Sequence, residues 1–226
     1  MKIYLFVSSK SWHDELFEDL TKSNDSIWFR IKDKEDLNFE KISKIQPNKI
    51  FIPHWSHFIE DEIYLNFECI VFHMTDLPYG RGGSPLQNLI VRGKIETKIS
   101  ALRVEKELDA GPIYLKKALS LVGTAREIFE TSSSIVGEMI NEIISLDLLP
   151  SPQTGEIVIF KRRKQEDGNI AALKNIMEIF DYIRMLDCEG YPNAFLETEF
   201  FRFEFFNAKV ETNVNEINSN VRIFKK

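Results

Sequence analysis

The 226-residue chain is 43% hydrophobic and 28% charged, with 10 Gly, 8 Pro and 2 Cys, which excludes a collagen, a disordered tail and a disulfide scaffold. Its formal net charge of −6 sets it apart from proteins whose main task is to hold a phosphate backbone, so no nucleic-acid partner is expected. No apolar run approaches the roughly 20 residues of a membrane helix, so no membrane partner is expected, and two distant thiols, Cys69 and Cys188, suit a reducing cytoplasm.

The chain opens on a short apolar run, 3–7, that stops at Ser8-Ser9-Lys10 and reads as a first β-strand rather than a signal segment. Helical spacing follows over 14–20, then strand candidates at 27–31 and 49–52, the latter stopped by Pro53. A helical turn is expected at 61–64 and a continuous apolar strand at 69–73. Short apolar runs separated by helices predict a parallel sheet covered on both faces, with ligands at the carboxyl ends of its strands. Strands are again expected over 98–104 and 112–119, around a turn at Asp109-Ala110-Gly111. Thr124 and Glu127 form a capping-box pattern that starts a long helix ending near Leu146. Pro150 and Pro152 make 149–153 the best linker. Beyond it the pattern gives a helix over 170–186, an aromatic strand at 200–206, and an alternating strand with Ala208, Val210, Thr212 and Val214 on one face. Most of the 18 Phe are expected in the core, and 200–206 is either core or a homodimer face.

The densest chemistry lies between Phe72 and Gln87, where a strand ends on His73 and a loop carries three glycines and Arg81 before Pro85 opens a helix. Such a loop lets a backbone approach a ligand, yet it is neither a Walker loop nor a dinucleotide fingerprint. His73, and Asp109 in a later turn, could each be an ordinary capping residue; together they form an imidazole–carboxylate couple suited to acid–base work. The four histidines have no metal-ligand spacing, so no metal is expected, and His13 and His57 are expected on the surface.

These segments, with Leu77-Pro78, Arg81-Gly82-Gly83-Ser84-Pro85 and Leu108-Asp109-Ala110-Gly111, resemble the folate-dependent formyltransferases, whose mark is Asn-x-His, Ser-Leu-Leu-Pro, Arg-Gly-x-x-Pro and Leu-Asp-x-Gly in that order. The stretch 160–170, with Lys161-Arg162-Arg163-Lys164, and the Ile183-Arg184-Met185-Leu186 and Tyr191-Pro192-Asn193-Ala194-Phe195 segments resemble the sugar N-formyltransferase branch, and the wording of 53–56 and 73–88 is similar to PseJ-type enzymes of pseudaminic acid synthesis. The resemblance implies an α/β fold, with a Rossmann-like parallel-sheet formyltransferase domain at 1–149 and a small α+β accessory domain at 150–226. It implies 10-formyltetrahydrofolate as formyl donor and a UDP-linked amino sugar as acceptor. His73 would stabilise the oxyanion and deliver a proton; Asp109 would accept the amine proton and fix the ring. His54, Trp55, Ser56, Asp76, Leu77 and Gly82 would line the folate pocket, with Trp55 open between pocket and core and Asp76 open between ligand contact and turn cap. Gly83 would meet the nucleotide sugar, Arg81 an anionic substrate or the folate tail, and Arg162 and Arg163 the sugar nucleotide's diphosphate, with a solvated face the other reading of their basic run.

One position departs from the pattern. Val71 stands where the family has its Asn, and His54 or Ser56 are the candidates to replace it. Methionyl-tRNA and a carrier-bound aminoacyl group are the alternative acceptors, and a catalytically dead folate binder is the non-enzyme alternative. Positions 151–226 hold 11 Lys+Arg against 12 Asp+Glu, which argues against tRNA.

Overall fold

The computed structural model describes residues 1–23, 25–210 and 215–226. In chain order its elements are β1 (Lys2–Val7), α1 (Asp14–Thr21), β2 (Ser26–Ile31), α2 (Phe39–Ile45), β3 (Lys49–Pro53), α3 (Asp61–Asn66), β4 (Cys69–His73), β5 (Tyr79–Gly82) and α4 (Pro85–Ile90). The second half holds β6 (Glu96–Arg103), β7 (Ile113–Ser120), α5 (Ala125–Ser145), β8 (Val158–Phe160), α6 (Ile176–Arg184), β9 (Ala194–Glu197), β10 (Phe201–Val210) and β11 (Ile217–Lys225). Two compact units divide the chain, each discontinuous: Met1–Gly82 with Thr97–Leu119 and Glu130–Ile159, and Gly83–Glu96 with Ser120–Phe129 and Phe160–Lys226. A single boundary at 149/150 is a division of a different kind.

The first unit is built on a six-stranded sheet in the order β2-β1-β3-β4-β6-β7. The pairs β1–β2, β1–β3 and β3–β4 are parallel, as the buried apolar runs require. The pair β4–β6 is antiparallel, so the sheet is mixed rather than wholly parallel. A short apolar run fixes burial but not direction, and this reversal has no signature in the pattern. The strand period sorts side chains onto two faces. Leu5, Val7, Ile50 and Ile52 join Ile42 of α2 and Ile63 of α3 in an aliphatic layer. Tyr4, Phe6, Phe51 and Phe72 point the other way and form an aromatic layer that reaches Phe17 of α1. Gly137 of α5 allows close approach of α1, because a Cβ there would come within 2.6 Å of Leu16.

The capping box forms as read: Thr124 N–H donates to Glu127 Oε2 at 2.8 Å, and Glu127 N–H to Thr124 Oγ1 at 3.3 Å. The segment read as a linker is tied down, since Ser151 and Ile113 exchange backbone hydrogen bonds of 2.9 and 2.8 Å.

In the second unit, β11-β10-β9 form an antiparallel sheet with α6 against β10. The helix expected over 170–186 starts only at Ile176. Ile170 N–H is committed to Phe195 O, and Asn175 caps the helix by accepting from Met177 N–H at 2.8 Å. The two expected C-terminal strands are one strand, β10, with an irregularity between Phe206 and Lys209, where Asn207 takes φ 54°. Thr212 and Val214 of the alternating stretch lie outside the described residues. The expectation that most Phe are core is corrected: six of the 18 are buried, and Phe200, Phe201 and Phe224 of the C-terminal ribbon are exposed.

Candidate active site

The end of β4 delivers His73 to the carboxyl edge of the sheet, opposite Ser100 of β6. Ser100 pins the loop that follows: its hydroxyl donates to Thr75 O at 2.7 Å and accepts from Leu77 N–H at 3.3 Å. The loop then turns back so that Gly80 O lies 2.8 Å from His73 Nε2. A carbonyl can only accept, so Nε2 carries its proton and the ring is fixed with Nδ1 facing outward. Asp109 Oδ2 lies 3.6 Å from that Nδ1, and both side chains are about nine-tenths buried.

Asp109 is held from two sides. Its Oδ2 accepts from Gly82 N–H at 2.9 Å, and its backbone adopts φ 54°, in the left-handed region. The turn also needs Gly111, because a Cβ there would come within 1.8 Å of Arg103 O. The couple therefore sits between two restrained loops, with imidazole and carboxylate facing each other. Such an arrangement can take a proton from one reacting group and give one to another.

The other expected site residues fall into distinct situations. Gly82 is the amide that holds Asp109. Arg81 is buried; its Nε and Nη2 donate to Gln153 Oε1 at 3.2 and 2.9 Å, and Nη1 lies 3.7 Å from Glu107. Leu77 is core, at 1% exposure. Asp76 pairs with Lys116 at 2.5 Å and Lys98 at 3.0 Å; burial pushes its carboxyl up, but the two ammonium groups outweigh burial and hold it below the usual range. His54, at the end of β3, takes φ 51° and meets the Trp12 ring edge-on at 4.9 Å. Burial first, then His13 and Lys10, push its pKa down to about 3. Trp55 packs against the aliphatic layer, with its indole N–H enclosed without an acceptor among the described residues, and Ser56 is exposed. Val71 is half-buried between Ile52 and Leu102.

In the second unit, a Cβ on Gly83 would meet Arg162 at 2.5 Å, so glycine is required there. Arg163 N–H donates to Ser84 Oγ and its guanidinium to Asp167 O, while Lys161, Arg162 and Lys164 are exposed. His13 is not a surface residue. It is 1% exposed, with Nδ1 2.7 Å from Ser133 Oγ; its Trp-His-Asp context looks polar, and its partner lies 120 positions away. Sequence reading also missed Ser100 and Gln153. The signal for Ser100 is one hydroxyl in an apolar strand; Gln153 gave none beyond its polarity.

The Rossmann-like sheet and the small C-terminal domain are the fold of the formyltransferases. The chain belongs to the formyltransferase family: it is 43% identical to a solved structure of methionyl-tRNA formyltransferase from Clostridium thermocellum, with a TM-score of 0.96 and coverage of 100% of both chains. Residues 165–224 match the family model described as methionyl-tRNA formyltransferase, C-terminal domain. The methionyl-tRNA formyltransferase of Thermodesulfovibrio yellowstonii is 29% identical over 161 residues, covering 68% of this chain and 52% of that protein. That of Sulfurihydrogenibium sp. is 25% identical over 198 residues, 83% of this chain and 63% of that one, so the chain spans about half to three-fifths of these curated relatives.

Two expectations are overturned by these relatives. The nucleotide-sugar acceptor is not supported: a sugar N-formyltransferase from Shewanella sp FDAARGOS_354 shares 14% identity at a TM-score of 0.67, over 88% of this chain and 94% of that one, and shows the fold alone. The exclusion of nucleic acid also fails against relatives that act on a tRNA. Net charge averages the whole surface, whereas a phosphate backbone responds to local charge, and 161–164 is a local basic run in an acidic chain. The formyl donor of the family is 10-formyltetrahydrofolate, and a neighbour in fold, HypX from Aquifex aeolicus, is solved with tetrahydrofolic acid at 19% identity and a TM-score of 0.76, over 93% of this chain and 38% of that one. Among the described residues no helix is long and apolar enough to cross a membrane.

Proposed function

We propose that the chain transfers a formyl group from 10-formyltetrahydrofolate to the α-amine of methionyl-tRNA. The observation that carries this reading is the His73 Nδ1–Asp109 Oδ2 approach of 3.6 Å, in a chain 43% identical end to end to a methionyl-tRNA formyltransferase.

The chemistry required is acyl transfer: a C–N bond forms to the acceptor amine, and the bond from the formyl carbon to the folate nitrogen breaks. The donor supplies the formyl carbon and leaves as a protonated amine. An α-amine has a pKa near 7.7–8.0, roughly, so a carboxylate needs only to take the proton released as the C–N bond forms. Asp109 is placed for that step. Its Oδ2 is held by Gly82 N–H and faces His73, which leaves Oδ1 for the amine. His73 keeps its Nε2 proton on Gly80 O, so Nδ1 is the position that exchanges. In the imidazolium form Nδ1–H opposes the charge that builds on the formyl oxygen and can be handed to the departing nitrogen. The valine at position 71 offers no donor, which places more of the oxyanion stabilisation on His73. Lys161, Arg162 and Lys164 supply exposed cations for a phosphate backbone.

Incubation with 10-formyltetrahydrofolate and methionyl-tRNA should yield N-formylmethionine after hydrolysis, read by mass spectrometry. His73→Ala should lower the rate by about 100–1000-fold. Near-normal turnover by that variant would falsify the catalytic assignment. Formylation of a carrier-bound aminoacyl thioester in place of the tRNA would overturn the acceptor alone.

A further inference from the structure

Gln153 spends all of its hydrogen-bonding capacity beside the active couple. Its Nε2 donates to Asp109 O and to Gly111 O, each at 2.8 Å. Its Oε1 accepts from Arg81 Nε and Nη2. The opposite amide orientation would set an oxygen against two carbonyls and an NH2 group against a guanidinium, so the hydrogen-bond network itself fixes the assignment. The two carbonyls flank Ala110 in the turn that carries Asp109. That turn is strained, because Asp109 holds φ 54° without being glycine, and a strained turn persists only where its surroundings fix it. The segment that presents Gln153 is itself anchored, two residues earlier, by the Ser151–Ile113 bonds.

We infer that Gln153 is a positioning residue: it clamps the 109–111 turn and thereby sets Asp109 against His73 and the Gly82 amide. The inference rests on the reading of Asp109 as the proton acceptor. It gives the proline-flanked stretch at 149–153 a function in place of mere connection. Arg81 then serves as the counterweight that orients the amide.

Two variants of the full chain separate the clamp from its alternatives. Gln153→Met keeps the length and removes every hydrogen bond. Gln153→Glu keeps an acceptor for Arg81 but sets an oxygen against both turn carbonyls. If the clamp acts through the turn, both variants lose kcat by about 10–100-fold, the loss typical of a reacting group misplaced by roughly 1 Å, while KM for the donor stays within about threefold. In the free protein, amide exchange at Gly82 should rise at least about tenfold as Asp109 leaves it, with the amides of β1 and β3 unchanged. Full activity in Gln153→Glu beside a loss in Gln153→Met would overturn the clamp and leave Arg81 as the element that matters. Unchanged Gly82 exchange in both variants would overturn it as well. The exchange measurement needs no acceptor, so it decides the clamp even if wild-type protein proves inactive on methionyl-tRNA, an outcome that would strike the functional reading alone.

Discussion

Two histidines of the first unit are buried, each with a hydrogen bond to a ring nitrogen, and they differ in what stands at the other side of the ring. His73 bonds Gly80 O through Nε2 and turns Nδ1 toward the carboxylate of Asp109. His13 bonds Ser133 through Nδ1, and its Nε2 is enclosed without a partner among the described residues. Burial pushes the His13 pKa down to about 3, with Arg30 adding to the fall, and Asp14 only partly opposes it. A buried imidazole among cations is held neutral and contributes packing. A buried imidazole facing a carboxylate, in a loop fixed by backbone bonds, can exchange a proton. Burial and a hydrogen bond are common to both; the geometry differs in that His73 faces the Asp109 carboxylate, while Arg30 and Lys10 act on His13 along with Asp14.

The sharpest way to break this comparison is to remove the carboxylate. Asp109→Asn keeps the shape of the turn and can still accept from Gly82 N–H. It removes the base and the charge opposite His73. Its kcat should fall by about 100-fold or more, with the melting temperature within a few degrees of wild type. If instead stability collapses and the folded fraction keeps its rate, the couple is structural and His73 belongs in the same category as His13.

How much of this difference was legible in the sequence follows from where the information lies. His73 and Asp109 were legible because each ends a pattern: an apolar run, and a Leu-Asp-x-Gly turn. Gln153 was not, because prolines at 150 and 152 say only what the backbone cannot do, and its partners lie 42 to 72 positions away. His13 failed for the same reason. The late start of α6 was legible and overlooked: Asn175 and Glu178 make an Asn-x-x-Glu start signal inside the stretch taken as helix. The antiparallel β4–β6 pair belongs to a third kind, since hydrophobic pattern gives burial and leaves direction to the connection.

A smaller effect should come from His13 itself. His13→Gln disturbs a buried hydrogen bond to Ser133 and should cost about 1–3 kcal/mol of stability, read as a lower urea midpoint, with kcat unchanged. The pH dependence gives the sign. His13 and His54 are neutral when folded, with pKa values near 3, but take up protons near 6.5 when unfolded. Between those values the unfolded chain binds more protons, so stability falls as pH drops. The slope approaches about 1.4 kcal/mol per pH unit for each histidine. Lowering pH from 6.5 to 5 stays above the range where paired carboxylates such as Asp14 and Asp76 titrate. Over that interval His13→Gln should show a shallower loss than wild type. Equal slopes would mean that His13 binds protons alike in the folded and unfolded chain, and the contrast with His73 would fail.

The least effect is expected at His57, which completes the series as an exposed histidine. It meets the Trp55 ring edge-on, at 5.3 Å between centroids. His57→Ala should change stability by less than about 0.5 kcal/mol and leave kcat at the wild-type value. This near-zero result carries weight because His57 lies only three residues from His54, on the same loop after β3. If its removal reduces turnover, the loop after β3 joins the reacting centre, and proximity along the chain, rather than the charge facing the ring, governs which histidines matter. If turnover holds while His73→Ala and Asp109→Asn fail, function follows the imidazole that Asp109 faces.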